Sequence, residues 1–168
     1  MLPCFAQADQ GAAALEIRVV TVDSFANWLT GVGETARQWI AATGFKPAHR
    51  ALALLPAASG ELASGVFVLG GKGDTGDAAF LARALPAIDA PFTILDTDGL
   101  IAPFELLYGW ALAGYRFDRY RKPAEESGMA SLAVTDTALA SRASELARSV
   151  FFARDLVNTP ASDMGPDE

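Results

Sequence analysis

A glycine-rich stretch with a single lysine, GGKGDTGD at 70–77, has residue types suited to phosphate binding. Glycines between a strand and a helix can turn their backbone N–H groups toward an anion. The phosphate-binding P-loop pattern, counted from Gly65, requires its lysine directly after Gly70, whereas Lys72 comes one position late and is followed by Gly73. The pattern therefore fails, and a plain strand-to-helix connection is the favoured interpretation.

A second stretch, YRFDRYRK at 115–122, alternates aromatic and basic residues. Such an arrangement can stack on bases and hold phosphates. The chain carries 13 basic and 20 acidic residues, a net charge of −7, which opposes general nucleic-acid binding. The favoured interpretation is the end of a helix, where cations complement the helix dipole and the aromatic rings pack beneath them.

The remaining reactive residue types form no recognisable catalytic set. His49 and Cys4 are each the sole residue of their kind; we expect an isolated surface histidine and an unactivated thiol in a mobile N-terminal segment. The acids stand in two short groups, one predicted in a turn and one in a loop, namely Asp96 with Asp98 and Glu125 with Glu126. With neither a zinc-ligand cluster nor a Gly-x-Ser-x-Gly elbow, the residues favour a non-catalytic domain.

Length and composition suit one globular domain. The chain has 168 residues, of which 51% are hydrophobic and 20% charged, enough apolar surface to form a core. The N-terminus resembles no signal peptide, and no apolar run approaches the roughly 20 residues of a membrane span. We therefore expect a cytoplasmic protein.

Strand and helix patterns alternate along the chain and predict an α/β fold. The predicted strands are 15–22, 51–56, 65–70, 91–96 and 131–135. The predicted helices are about 25–43, capped by Asp23 or Ser24 and breakable at Gly31 and Gly33, then 74–85, 101–117 and a long helix at about 136–157. Turn residues between 51–56 and 65–70 indicate an antiparallel hairpin, so the sheet is predicted to be mixed.

The long helix carries two sets of apolar residues. We expect one stripe to pack on the sheet: Leu139, Ala143, Leu146, Val150, Ala153 and Val157. Phe151, Phe152 and Leu156 lie off that stripe. Large apolar side chains on a second face need another partner, so these three predict an apolar docking patch or self-association.

Two segments resemble the leucyl (cytosol, M17) aminopeptidase family. ARDLVNTPASDMGP at 153–166 is similar to the family's junction, where an Arg-Asp-Leu-x-Asn-x-Pro run closes a connecting helix and a proline opens the catalytic domain. The matching residues are Arg154, Asp155, Leu156, Asn158, Thr159, Pro160 and Pro166. GWALAGYRFDRYRK at 109–122 is similar to a second family stretch through Gly109, Leu112, Tyr115, Phe117, Tyr120 and, one place late, Lys122.

The resemblance implies a three-layer, macro-like N-terminal domain over 1–157, a junction over 158–168 and a C-terminal catalytic domain outside these residues. That domain would use two divalent metals (zinc, manganese or magnesium) to remove N-terminal amino acids from peptides, within a hexamer. No catalytic, metal or cofactor residue of the family maps onto this chain, and Lys72 is not the family's metal-binding lysine. The chain's own implied role is to support oligomer assembly and active-site access.

Two other functions stay open. The first is a free-standing macro-like module that binds an ADP-ribose-type ligand through 70–77. The second is a nucleic-acid contact through 115–122, for which the net charge of −7 offers no support.

Overall fold

A mixed sheet crosses the part of the chain that the computed structural model describes, which is residues 1–8, 14–120 and 128–163. Its six strands there are β1 (Phe5–Gln7), β2 (Leu15–Thr21), β3 (Ala51–Pro56), β4 (Leu62–Leu69), β5 (Phe92–Leu95) and β6 (Leu132–Val134). They lie in the order β1-β6-β5-β2-β4-β3. All neighbours are parallel except β3 and β4, which confirms the predicted hairpin and the mixed sheet.

The helices of the described residues are α1 (Val22–Gly31), α2 (Glu34–Ala42), α3 (Thr75–Ala84), α4 (Pro103–Ala113) and α5 (Thr137–Asn158), followed by a short 3-10 helix, Ala161–Asp163. The predicted break at Gly31–Gly33 is confirmed. The predicted cap of α1 is wrong, because Thr21 caps it and forms a capping box with Ser24. The prediction for α4 is also too long, because the helix ends at Ala113.

Two hydrophobic cores, one on each face of the sheet, make the three predicted layers. Alternate strand residues point to opposite faces. Val20, Val66 and Val68 pack with Phe25 and Ile40 beneath α1 and α2. The larger core lies beneath α3, α4 and α5 and includes Ile17, Val19, Phe67, Leu69, Leu81 and Trp110.

The N-terminal segment belongs to the sheet, which corrects the expectation that it is mobile. Phe5 is buried in the larger core and pairs with Leu132 of β6. Burial raises the pKa of the adjacent Cys4 thiol to about 11, so the expectation of an unactivated thiol agrees with its surroundings. A three-residue strand is too short to show an alternating pattern, and the sequence therefore missed it.

The predicted inward stripe of α5 is wrong. The buried residues of this helix are Ala140, Ala143, Ser144 and Ala147, so only Ala143 belongs to both sets. By contrast, Leu146 is 44% exposed and Val157 is 85% exposed. Small side chains let α5 pack closely against its neighbours, and the backbone N–H of Leu2 donates to Ser144 Oγ over 3.0 Å. Close packing therefore explains why the small residues of α5, and not its larger ones, face the core.

Helices α3 and α4 approach each other closely at a glycine. A Cβ atom on Gly109 would lie 2.2 Å from the Thr75 carbonyl oxygen and 2.7 Å from Ala78 Cβ. Both distances are far below van der Waals contact, so glycine alone allows this approach. Trp110, which follows Gly109, is fully buried and donates its indole N–H to the Ala130 carbonyl over 3.0 Å.

Candidate functional site

The two segments that carry the family resemblance meet in space at the end of α5. The Tyr115 hydroxyl donates to Asp155 Oδ1 over 2.9 Å, and Asn158 Nδ2 donates to the same hydroxyl oxygen over 2.9 Å. The guanidinium of Arg154 lies 5.2 Å above the Tyr115 ring, and the Phe151 ring lies 5.3 Å from it. We call these five residues the junction cluster.

The junction cluster holds the end of α5 against the chain that follows α4. Desolvation raises the pKa of Tyr115, and the Asp155 carboxylate raises it further, against an opposing hydrogen bond from Asn158. The phenol therefore stays protonated and keeps its donor role at neutral pH. Asp155 also accepts through its backbone carbonyl from Thr159, whose N–H and hydroxyl lie at 2.9 and 2.7 Å. These hydrogen bonds fix the positions of the residues before and after the C-terminal end of α5.

Phe151, Phe152 and Leu156 differ in their surroundings. Phe151 is half-buried, packs on the larger core and contacts Tyr115, so its predicted place in an outer patch is wrong. Phe152 is 66% exposed and Leu156 is also exposed, as predicted. The Tyr115 ring lies 5.3 Å from the Phe151 ring and is tilted by 42° to it, a contact that helical spacing alone could not show.

Residues 115–120 of the basic stretch follow α4 and are not part of the helix, contrary to the prediction. Arg121 and Lys122 lie outside the described residues. Before them, the Tyr120 ring lies 5.7 Å from that of Phe117 and 5.9 Å from the Arg119 guanidinium, and its hydroxyl donates to Asp163. The described part of this stretch therefore contacts the protein's own residues after α5.

The glycine stretch at 70–77 forms the predicted strand-to-helix connection. Asp74 caps α3 by accepting from the Asp77 N–H over 3.0 Å, and Asp77 Oδ2 accepts from the Asp74 N–H over 3.0 Å. The Gly73 N–H donates to the Leu100 carbonyl over 2.8 Å. Two carboxylates thus occupy the helix N-terminus, the position that an anionic ligand would take.

Asp77 is buried, and its carboxylate contacts two side chains, of Arg50 and His49, that the sequence did not connect with it. Arg50 Nε donates to Asp77 Oδ1 over 2.7 Å, and His49 Nε2 lies 3.2 Å from the same oxygen. The His49 imidazole is half exposed, in line with the expected surface position, and it accepts from the Gly70 N–H at Nδ1 over 3.3 Å. Arg50 adopts φ 63°, an uncommon value for a non-glycine residue.

This cluster has a structural explanation. Arg50 directly precedes β3, the first strand of the hairpin. Its backbone N–H donates to the Val68 carbonyl over 2.8 Å. Its guanidinium lies 5.6 Å from the centre of the Phe80 ring. The carboxylate of Asp77 therefore joins the hairpin to α3. Residues 27 positions apart share no local pattern, so only the fold brings them together.

The other candidate acids act on the backbone or lie outside the description. Asp96 accepts from the N–H groups of Leu100 and Ile101 over 2.9 and 2.7 Å, which confirms its turn role. Glu125 and Glu126 lie outside the described residues. Within the residues that the structure describes, no three His, Cys, Asp or Glu side chains group as metal ligands. None of the described helices combines the length and hydropathy of a membrane span.

An apolar groove runs along the exposed side of α5, beside the junction cluster. It has a volume of about 460 Å³ and is lined by Tyr108 of α4 and, on α5, by Leu146, Val150, Ala153 and Val157. These four apolar residues of α5 are four of the six residues of the predicted inward stripe. The groove continues to Arg154 and Asn158, so apolar surface and the junction cluster are adjacent.

The comparison with family models identifies this fold as the N-terminal domain of an aminopeptidase family. The profile of the M17 aminopeptidase N-terminal domain matches residues 15–134. The chain therefore belongs to the M17 aminopeptidase family, as the resemblance implied. A comparison with curated protein sequences finds no match.

Solved structures share the same fold. A cytosol aminopeptidase from Coxiella burnetii aligns with a TM-score of 0.83 and 24% identity, over 99% of this chain and 36% of that one. The bottromycin maturation enzyme BotP in complex with Mn aligns at 0.61 and 23%, over 93% and 34%. A tomato leucine aminopeptidase mutant aligns at 0.54 and 17%, over 96% and 39%. The chain thus spans little more than a third of each.

Proposed function

We propose that residues 1–157 are a non-catalytic N-terminal domain and that residues 158–168 lead into a C-terminal catalytic domain. Such a full-length protein would remove N-terminal amino acids from peptides with two divalent metals, zinc, manganese or magnesium. The family match over 15–134 supports this proposal, as does the 34–39% share of its structural relatives that the chain spans. We place the protein in the cytoplasm, by likeness to the cytosol aminopeptidase.

The observation that carries the proposal is the apolar groove of α5 beside the junction cluster. Val157 is 85% exposed directly before the junction, and Leu146 lines the same groove about three helical turns earlier. A surface helix of a finished domain normally turns such residues inward. Each side chain gains about 1.5–3 kcal/mol when it is fully buried. A catalytic domain entering from residue 158 onward is well placed to cover this face.

The role of this domain is then structural. The junction cluster fixes the direction in which the chain leaves α5, and the groove supplies the contact that holds the next domain. By this arrangement the domain supports oligomer assembly, as a hexamer in the full-length form, and shapes access to the active site. Its partners are its own catalytic domain and further copies of the chain.

Sedimentation velocity on the 168-residue chain tests the docking face. With no catalytic domain to cover the groove, we expect concentration-dependent self-association. Val157→Ser should weaken that association more than it weakens the fold, since this side chain is hardly buried. Trp39→Ser is the matched control, because Trp39 is an exposed apolar residue of α2, on the other face of the sheet.

Two results would overturn the docking proposal: a chain that stays monomeric at high concentration, or equal weakening by both substitutions. Activity provides a separate test. The chain should not hydrolyse an aminoacyl-anilide with added manganese or zinc, and metal-dependent turnover by the purified chain would contradict a non-catalytic role.

A further inference from the structure

The single histidine of the chain, His49, contacts both ends of the connection between β4 and α3. Its Nδ1 lies 3.3 Å from the backbone nitrogen of Gly70, which donates a hydrogen bond to it. Its Nε2 lies 3.2 Å from Oδ1 of Asp77, in the first turn of α3. The imidazole ring therefore joins the residues before β3 to this connection at two points.

The two contacts indicate where the imidazole proton resides. A ring nitrogen that accepts from an N–H group carries no proton of its own, so Nδ1 is unprotonated. A carboxylate oxygen is an acceptor only, so Nε2 carries the proton and donates it to Asp77. The neutral ring with its proton on Nε2 is thus the form of His49 that makes both contacts.

A second proton on His49 has to bind at Nδ1. It would place an N–H group of the ring directly against the N–H group of Gly70, and the hydrogen bond between them would be lost. Histidine is the side chain that ordinarily gains its proton between about pH 5 and pH 8. The contact with Gly70 is therefore available to the neutral ring only.

The charged groups around the ring have both signs. The carboxylate of Asp77 attracts a second proton, and the guanidinium of Arg50, which donates to the same oxygen over 2.7 Å, opposes it. Asp74 accepts from the Asp77 N–H over 3.0 Å, and Lys72 is exposed within the connection. Protonation of His49 therefore leaves its contact with Asp77 in place and removes its contact with Gly70.

The far end of the connection is held by groups that do not titrate. The Gly73 N–H donates to the Leu100 carbonyl over 2.8 Å. A Cβ atom on Gly73 would lie 2.9 Å from two neighbouring side chains, whereas a Cβ atom on Gly71 would meet nothing within 4 Å. The Gly70 end of the connection is thus the part that can respond to His49.

We propose that His49 is a pH-sensitive switch for the connection between β4 and α3. The neutral ring holds the Gly70 end of the connection, and the protonated ring releases it while α3 stays capped by Asp74. The switch lies apart from the α5 groove and does not depend on the proposed docking role.

Nuclear magnetic resonance on the ¹⁵N-labelled 168-residue chain tests both steps. Because the chain has one histidine, its imidazole nitrogens give a single set of signals, and at pH 8 they should show a protonated Nε2 and an unprotonated Nδ1. As the pH falls, the Gly70 amide resonance should move with the same midpoint as the imidazole signals. After correction for the intrinsic effect of pH, the Gly70 amide should exchange with solvent about threefold or more faster when His49 is protonated. The Gly73 amide is the internal reference and should show neither change.

Substitutions assign the response to the ring. His49→Phe keeps an aromatic ring but removes both nitrogens, so the pH-dependent shift of the Gly70 amide should disappear. Lys72→Gln is the matched control, because it removes a charge from the same connection without touching His49, and the Gly70 response should remain.

The proposal is wrong if the imidazole at pH 8 carries its proton on Nδ1, or if it titrates while the Gly70 amide stays unchanged. It is also wrong if the Gly70 response survives His49→Phe. The first two results need no substitution, so the proposal remains testable even if that variant does not fold.

Discussion

Replacing Gly109 with alanine should destabilise the protein by driving α3 and α4 apart. The added Cβ would lie 2.2 Å from the Thr75 carbonyl oxygen. An ordinary carbon-to-oxygen contact is about 3.3 Å, so one helix must move by about 1 Å. The obstacle is backbone, which cannot rotate away as a flexible side chain would.

The magnitude follows from two opposing effects. Overpacking of this kind costs about 1–3 kcal/mol, and a backbone clash belongs at the upper end. Alanine in place of glycine inside a helix returns about 0.5–1 kcal/mol. The expected net loss in the free energy of unfolding is therefore about 2 kcal/mol, and the expected fall in Tm is about 4–8 °C.

Urea unfolding followed by circular dichroism measures this loss, and Gly31→Ala is the matched control. Gly31 is also a helical glycine, but a Cβ there meets nothing within 4 Å. That substitution should stabilise the protein by about 0.4–1 kcal/mol. The two substitutions should thus have opposite signs. A Gly109→Ala protein as stable as the unmodified chain would refute the close approach of α3 and α4.

Three further predictions concern the other clusters. Asp77→Ala should lower the free energy of unfolding by about 1–3 kcal/mol, through loss of the hydrogen bond from the Asp74 N–H and of the Arg50 pair, whereas Asp89→Ala at an exposed site should change it by less than about 0.5 kcal/mol. The pKa of the Cys4 thiol is raised to about 11 in the folded chain, so little of the reactive thiolate is present at pH 8. Cys4 should therefore react with iodoacetamide at least about tenfold more slowly in the folded chain than in urea. Equal rates would show that β1 is not formed. Lys72→Ala should change stability by no more than about 0.5 kcal/mol, and ADP-ribose binding in calorimetry that this substitution removes would favour the macro-like ligand site.

Local patterns determined most of the secondary structure. The glycines at 31 and 33 separate α1 from α2, and Asp74 and Asp136 cap the helices that follow them. The turn residues between β3 and β4 produce the antiparallel hairpin. These features depend on interactions between near neighbours, so sequence alone is sufficient to predict them.

The sequence also indicated the family resemblance and some residues of the junction cluster. Tyr115, Asp155 and Asn158 were singled out as motif residues, but their contact was not predicted, because 40 or more positions separate the two sides. The pairing of Asp77 with Arg50 and His49 was likewise invisible, since each hydrogen bond spans a hairpin and a turn.

Tertiary packing alone decided which face of α5 is buried. The predicted stripe and the residues that are buried in the structure both recur along α5 at intervals of three and four. Periodicity therefore cannot show which of the two sets faces the core. Close approach between helices favours small side chains, so Ala140, Ala143, Ser144 and Ala147 face the core. Leu146 and Val157 lie on the outward side of the helix, 44% and 85% exposed. The sequence determined that α5 carries more apolar residues than one buried face can hold, and the fold determined which of them are exposed.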